Sequence, residues 1–218
     1  EVFGFLGPNG AGKTTAIRHL MGFLRPREGR CTVGGLDCWE SAAQIQRTLG
    51  YLPGEAAFFE DMTGLQFLNF AAEYRGVKGM GRAKELMDRF ELDPTGKLRR
   101  MSKGMKQKVG LVAAFLHDPA VLILDEPTSG LDPLMQNRFV ELILDERSRG
   151  KTVLMSSHMF DEVERTCRRV AIIRGGKLAA VLLGTDSGGL FEGLVEVAVV
   201  VIAHPFGNLH DFNVFIHE

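Results

Sequence analysis

Eight residues near the start, Gly7-Pro8-Asn9-Gly10-Ala11-Gly12-Lys13-Thr14, constrain this chain more than any other feature. They follow an apolar run, Val2-Phe3-Gly4-Phe5-Leu6, and precede a segment with apolar residues at helix spacing. A strand that enters a glycine-rich loop and leaves as a helix makes an anion cradle. Glycines let successive backbone N–H groups curl around phosphate oxygens without Cβ clashes. The following helix aims the positive end of its dipole at the same anion. In that frame Lys13 reaches β- and γ-phosphates, the Thr14 hydroxyl ligates Mg²⁺, and Thr15 is a further donor to the α-phosphate. The bland alternative is a glycine-rich turn beside a solvated lysine; the flanking strand and helix speak against it.

The rest of the chain alternates short apolar runs with helical patterns. Thr15 to Leu24 reads as a helix, with Ala16, Ile17, Leu20, Met21 and Leu24 on one face and Pro26 as its stop. Arg30 to Asp37 reads as a strand pair around Gly34-Gly35. From Thr63 to Leu116 the pattern is helical, the last helix showing the stripe Met105, Val109, Val112, Leu116 with Ser102 as its N-cap. Val121 to Leu124 and Thr152 to Ser156 read as strands buried on both faces. Between them Asp132-Pro133 opens a helix that Gly150 closes. Val170 to Leu182 reads as a hairpin around Gly175-Gly176. Strands alternating with helices predict an α/β fold with a mainly parallel sheet and an inserted helical subdomain. The predicted core is 1–53 and 118–182, the helical insertion 54–117, and 183–218 a C-terminal extension of unknown role. In that extension 186–189 reads as a turn and Leu194 to Ala203 as one strand. Opening inside a strand points to an N-terminal fragment.

Composition narrows the partners. The net charge of −1 gives no broad field that favours nucleic acid or an acidic membrane. No apolar run spans a bilayer, and no signal peptide opens the chain. Cys31, Cys38 and Cys167 show no C-x-x-C spacing and read as free thiols in a reducing cytosol.

Asp125-Glu126 follow the apolar run Val121–Leu124 at its carboxyl end, where open α/β sheets bind ligands. Asp125 suits a Mg²⁺ partner, and Glu126 a general base that polarises water in line with the γ-phosphorus. Upstream, Met101-Ser102-Lys103-Gly104-Met105-Lys106-Gln107-Lys108 precedes a helix and resembles the L-S-G-G-Q signature of ATP-binding cassette (ABC) proteins. The run Leu124 to Asp132 resembles the same family, and Ser157-His158 resembles its switch histidine. The likeness covers residues 1 to 182 with its motifs in the family's order.

That resemblance implies a P-loop ATPase that binds ATP and Mg²⁺. It implies that Ser102 and the Gly104 backbone bind the γ-phosphate held by a second cassette, that Asp132 shapes the dimer seam, and that His158 orients Glu126 and water. It also implies a separate integral membrane permease, a place on the cytoplasmic face of the membrane, and no nucleic-acid partner. Within the family the motifs look most like exporters of the multidrug and antibiotic-resistance type. The chain departs from the pattern at Lys103 and Met105 of the signature. It departs again at Gly54, where the family has a glutamine that touches Mg²⁺ and water; Glu55 or a water is expected to substitute. The upstream aromatic residue that stacks on adenine has no counterpart in this sequence. Two other readings remain open: a soluble non-transport ABC ATPase, and a nucleotide-dependent regulator that does not hydrolyse.

Overall fold

The computed structural model describes residues 1–183 together with Leu194 and Val195. Strand β1 (Val2–Leu6) enters the glycine-rich loop, and helix α1 (Lys13–Leu20) leaves it. This helix begins at Lys13 rather than Thr15 and ends at Leu20 rather than Leu24. Gly22, not Pro26, stops it: φ there is 69°, and an added Cβ would lie 2.3 Å from the Cys38 carbonyl oxygen, so only glycine makes this turn.

A hairpin of β2 (Thr32–Val33) and β3 (Leu36–Asp37) follows, as expected around Gly34-Gly35. Helix α2 (Ala42–Thr48) and strand β4 (Leu49–Leu52) come next. At two turns α2 is too short to show a helical period, and the sequence did not reveal it. Then come α3 (Gly64–Tyr74), α4 (Gly81–Arg89), a 3₁₀ turn at Leu98–Arg100 and α5 (Lys103–Phe115). Thr63 and Gln66 close a capping box on α3. The Ser102 hydroxyl caps α5 by accepting from Met105 N at 3.2 Å. The remaining elements are β5 (Val121–Asp125), α6 (Pro133–Ser148), β6 (Thr152–Ser157), α7 (Phe160–Thr166), β7 (Arg169–Arg174), β8 (Lys177–Leu183) and β9 (Leu194–Val195). Asp132 caps α6, accepting from Met135 N at 3.0 Å. The predicted turn at 186–189 lies outside the described residues. Of the predicted strand Leu194 to Ala203, only Leu194–Val195 are described, and they pair antiparallel with β8.

One sheet has the order β4-β5-β6-β1-β7-β8-β9. Strands β4 to β7 in that order run parallel, β8 is antiparallel to β7, and β9 is antiparallel to β8. Successive residues of each strand feed opposite cores. Leu122, Leu124, Val153 and Met155 pack with α5, α6 and the helices before them. Ile123, Leu154 and Phe5 pack with α1, Ile45 of α2 and the β2–β3 hairpin. Helices on both faces are what a parallel sheet requires. Helix α5 is buried beyond its predicted stripe: Gln107, Gly110, Leu111 and Ala114 are also covered.

Two polar clusters fix the helices against the sheet. Across α4 and α6, Arg82 pairs with the fully buried Glu146, Arg89 with Asp145 at 2.7 Å, and Arg138 with Glu91 at 2.6 Å. Lys151 and Arg149 also face Glu146, so the buried carboxylate is compensated from several sides. Where α3 and α5 meet the sheet, Arg75 donates to the carbonyls of Gln46 (2.6 Å) and Leu49 (2.9 Å). His117 Nε2 lies 3.2 Å from the Leu49 carbonyl oxygen and 3.3 Å from Arg75.

Burial, then the adjacent Arg75 cation and the weaker field of Lys151, hold the His117 imidazole down to about 4 from an ordinary 6.5, against the Leu49 carbonyl bond and the Asp118 charge, which raise it. The unfolded chain therefore takes up this proton first as pH falls. The stability His117 confers is full above about pH 6.5 and is lost progressively towards pH 4. Urea midpoints measured across that window should fall less steeply for His117→Gln than for the parent chain.

Candidate active site

Three strands that are adjacent in the sheet deliver the site. Leu6 of β1 pairs with Ser157 of β6, and Asp125 of β5 pairs with Ser156. The three carboxyl ends therefore stand level, and the residues that follow them are Gly7, His158 and Glu126. Two backbone bonds carry the order past the strand ends: Gly7 N donates to Ser157 O at 3.3 Å, and Glu126 N donates to Ser156 O at 3.2 Å.

The glycine-rich loop is braced from below. A Cβ on Gly7 would sit 2.4 Å from the Ile173 carbonyl oxygen. Gly12 is left-handed, with φ 109°, and rests against the Gly176 Cα of the β7–β8 turn. Gly176 N donates to Ala11 O at 2.8 Å. Gly10, at φ 76°, has open space where its Cβ would be. Pro8, Asn9, Thr14 and Thr15 are exposed along the rim, whereas Lys13 is buried.

Lys13 Nζ donates to Gly7 O at 2.6 Å and pairs with Glu126 Oε1 at 3.1 Å. The other oxygen of Glu126 lies 2.7 Å from His158 Nδ1. Thr14 Oγ1 donates to Asp125 Oδ2 at 2.7 Å, and Ser156 Oγ donates to Asp125 Oδ1. Lys13, Glu126 and His158 thus form one polar line with the Thr14–Asp125 pair beside it, and the sequence singles out all five from three distant segments. Thr14 and Asp125 present the hard oxygen donors that suit Mg²⁺, which takes few protein ligands and completes its shell with phosphate and water. Among the described residues no three His, Cys, Asp or Glu side chains cluster as a metal cage.

Glu126 is a non-glycine residue at φ 49°, a backbone state that costs about 1–3 kcal/mol and persists only where neighbours over-determine it. Here they do. Ser156 Oγ accepts from Glu126 N at 3.1 Å, and Gln107 Nε2 donates to Glu126 O at 3.2 Å and Pro127 O at 2.9 Å. Behind His158, the Ser157 hydroxyl accepts from Met159 N at 3.0 Å and donates to Glu162 Oε2 at 2.7 Å. Burial pushes the Glu162 carboxyl up, against bonds from Ser157 and Thr128 that pull it down.

Ser102 and Gly104 do not join this line. Ser102 is exposed at the start of α5, and a Cβ on Gly104 would meet Gly130 O at 2.5 Å. Gly54 stands where the sequence departs from the ABC pattern. Its Cβ position is 3.3 Å from Asp125 Oδ2, so this glycine backs directly onto the carboxylate, while Glu55 is exposed. Sequence reasoning missed Gln107, Ser156, Glu162 and Gly176. A helical period assigns Gln107 to the outer face, whereas the structure buries it with its amide on the turn after β5.

With this geometry in place, comparison with known proteins is direct. Residues 1–129 match the family described as ABC transporter. The chain is 39% identical over 200 residues to an ABC transporter ATP-binding protein of Synechocystis, covering 86% of this chain and 56% of that one. It is 36% identical over 230 residues to the linearmycin resistance ATP-binding protein LnrL of Bacillus subtilis, covering 100% of this chain and 74% of LnrL. A solved structure of an ATP-binding subunit of an ABC transporter superposes with TM-score 0.78 at 32% identity, covering 84% of this chain and 78% of that one. The chain belongs to the ABC transporter family. It spans little more than half the length of the Synechocystis relative.

The brace under the loop yields a prediction. Gly7→Ala forces a methyl group onto the Ile173 carbonyl oxygen and should cost about 1–3 kcal/mol of stability, the usual range for overpacking. It should also abolish nucleotide binding. Denaturant unfolding and calorimetric titration with MgATP check the two effects.

Proposed function

We propose that this chain is the ATP-hydrolysing cassette of an ABC exporter and powers a separate membrane permease from the cytoplasmic face. One observation carries the reading: Lys13, Glu126 and His158 stand in a continuous hydrogen-bonded and ionic line beside the Thr14–Asp125 pair. Each member has a role in phosphoryl transfer to water. The loop N–H groups from Gly10 to Thr15 wrap the phosphates, and Lys13 moves from the Gly7 carbonyl to the β- and γ-oxygens. That move uncovers Glu126 Oε1. Glu126 then takes the proton of the attacking water, held in place by His158 on Oε2. Thr14 and Asp125 would hold Mg²⁺, which would supply charge neutralisation at the phosphates.

Ser102, whose exposed hydroxyl caps α5, and the Gly104 N–H in its first turn lie at the positive end of that helix. We assign them to the γ-phosphate on a second cassette, since the line around Lys13 makes no use of them. Two cassettes arranged head to tail complete both sites by symmetry. For the permease we assign the exposed aromatic face of Phe59, Phe70 and Tyr74, whose rings contact one another in series. Glu60, Asp61 and Glu73 flank these rings in the chain, which suits the basic cytoplasmic loops of membrane proteins. No helix among the described residues is long and apolar enough to cross a membrane, so the transport path is assigned to the partner. We take 1–53 and 118–182 as the core and 54–117 as the helical subdomain.

Glu126→Gln should keep MgATP binding and lower turnover by roughly 10²–10⁴, the range for loss of a general base. Light scattering of that variant should show a dimer with MgATP and a monomer without it, and Ser102→Arg should abolish the dimer. Single-turnover hydrolysis at the parent rate removes Glu126 from the role. A monomer at saturating MgATP removes the paired cassette.

A further inference from the structure

We infer that Gln107 is the positioning residue for Glu126, and that helix α5 thereby ties the signature turn to the hydrolytic carboxylate of the same chain. The inference rests on the reading of Glu126 as the general base.

Gln107 is 5% exposed although Lys106 and Lys108 flank it, just ahead of the buried apolar run of α5 that begins at Val109. A buried amide is retained only where its bonds are made. Its donors serve the first two carbonyls after strand β5, those of Glu126 and Pro127. Neither belongs to the sheet ladder, which ends at Asp125. On the other side of the same residue, Ser156 holds the Glu126 amide through both its carbonyl oxygen and its hydroxyl. The left-handed backbone of Glu126 is therefore gripped from the sheet on its N–H side and from α5 on its C=O side. The direction of its Cα–Cβ bond, and with it the reach of the carboxylate to Lys13 and His158, follows from that grip.

The grip extends towards Ser102. The turn from Glu126 to Leu131 is closed within itself by Ser129 N to Glu126 O at 3.1 Å and Leu131 N to Thr128 O at 3.0 Å. Its far end, Gly130, sits against the first turn of α5: the Gly104 Cβ position is 2.5 Å from Gly130 O, and the Gly130 Cβ position is 3.1 Å from Lys103 Cγ. Lys103 and Gly104 thus hold one end of the turn and Gln107 the other. A shift of the α5 N-terminus carries this closed turn, and Glu126, with it.

A double-mutant cycle separates positioning from plain structural support. Gln107→Met keeps the length of the side chain and removes its donors. Its single-turnover MgATP hydrolysis should fall about 10²-fold, the scale of a misplacement of the order of an ångström, with MgATP affinity unchanged. In the Glu126→Gln background the same substitution should cause no further fall, because there is no base left to place. An equal fall in both backgrounds, or a parent rate in Gln107→Met alone, overturns the inference while leaving the proposed function standing. A parent rate in Glu126→Gln overturns both. Should Gln107→Met fail to fold, Gln107→Asn keeps the amide and withdraws it by one methylene, and the same cycle is read with it.

Discussion

Strands β5, β6 and β1 lie side by side and finish level, and the site depends on that register. Leu6 opposite Ser157 and Asp125 opposite Ser156 put three chain segments, each far from the others in sequence, at one edge of the sheet. A slip of one residue in any of them would turn every side chain of that strand to the other face. It would exchange Leu122 and Leu124 for Ile123 between the two cores. Hydrophobic burial on both faces is thus what fixes the position of Lys13 relative to Glu126 and His158.

Charge is concentrated where the strands end, and it is paired or hydrogen-bonded there. Lys13 is buried, and its ammonium is satisfied by the Gly7 carbonyl and the Glu126 carboxylate. Glu126 in turn is paired with Lys13 and faces His158. A buried cation and a half-buried carboxylate hold each other, and under the proposed function an incoming nucleotide competes for the cation. The strained backbone of Glu126 belongs to the same picture. Strain of this kind survives only where surrounding bonds over-determine it, and Ser156 and Gln107 supply those bonds from the sheet and from α5.

The helices before β5 are attached to the sheet by polar contacts as well as by apolar packing. Arg75 and His117 hold one junction at the carbonyls of α2 and β4. Arg82, Arg89 and Arg138 hold the other, between α4 and α6. Ion pairs and hydrogen bonds are directional, so they set the orientation of α3, α4 and α5 in a way that a smooth apolar interface would not. The orientation of α5 matters most, since it carries Ser102 at its tip and Gln107 along its length.

Much of this was legible in the amino-acid order. The glycine-rich loop, Asp125-Glu126, Ser102 and Ser157-His158 are local patterns, and the caps at Ser102 and Asp132 are satisfied within their own first turns. Local chemistry of that kind depends on neighbours in sequence and can be read there. The end of α1 could not, because Gly22 owes its role to the Cys38 carbonyl across the turn. Gln107 could not either: helical periodicity places it outward, and its buried amide meets the turn after β5, a segment distant in sequence. Nor could the left-handed state of Glu126, the backing of Gly54 on Asp125, or the brace of Gly176 under the loop. Each of these is a contact between segments brought together by the sheet. The sequence by itself determined which residues are candidates for the chemistry, and the tertiary structure decided which of them meet and how they are held, because strand register and close backbone approach exist only once distant segments pack.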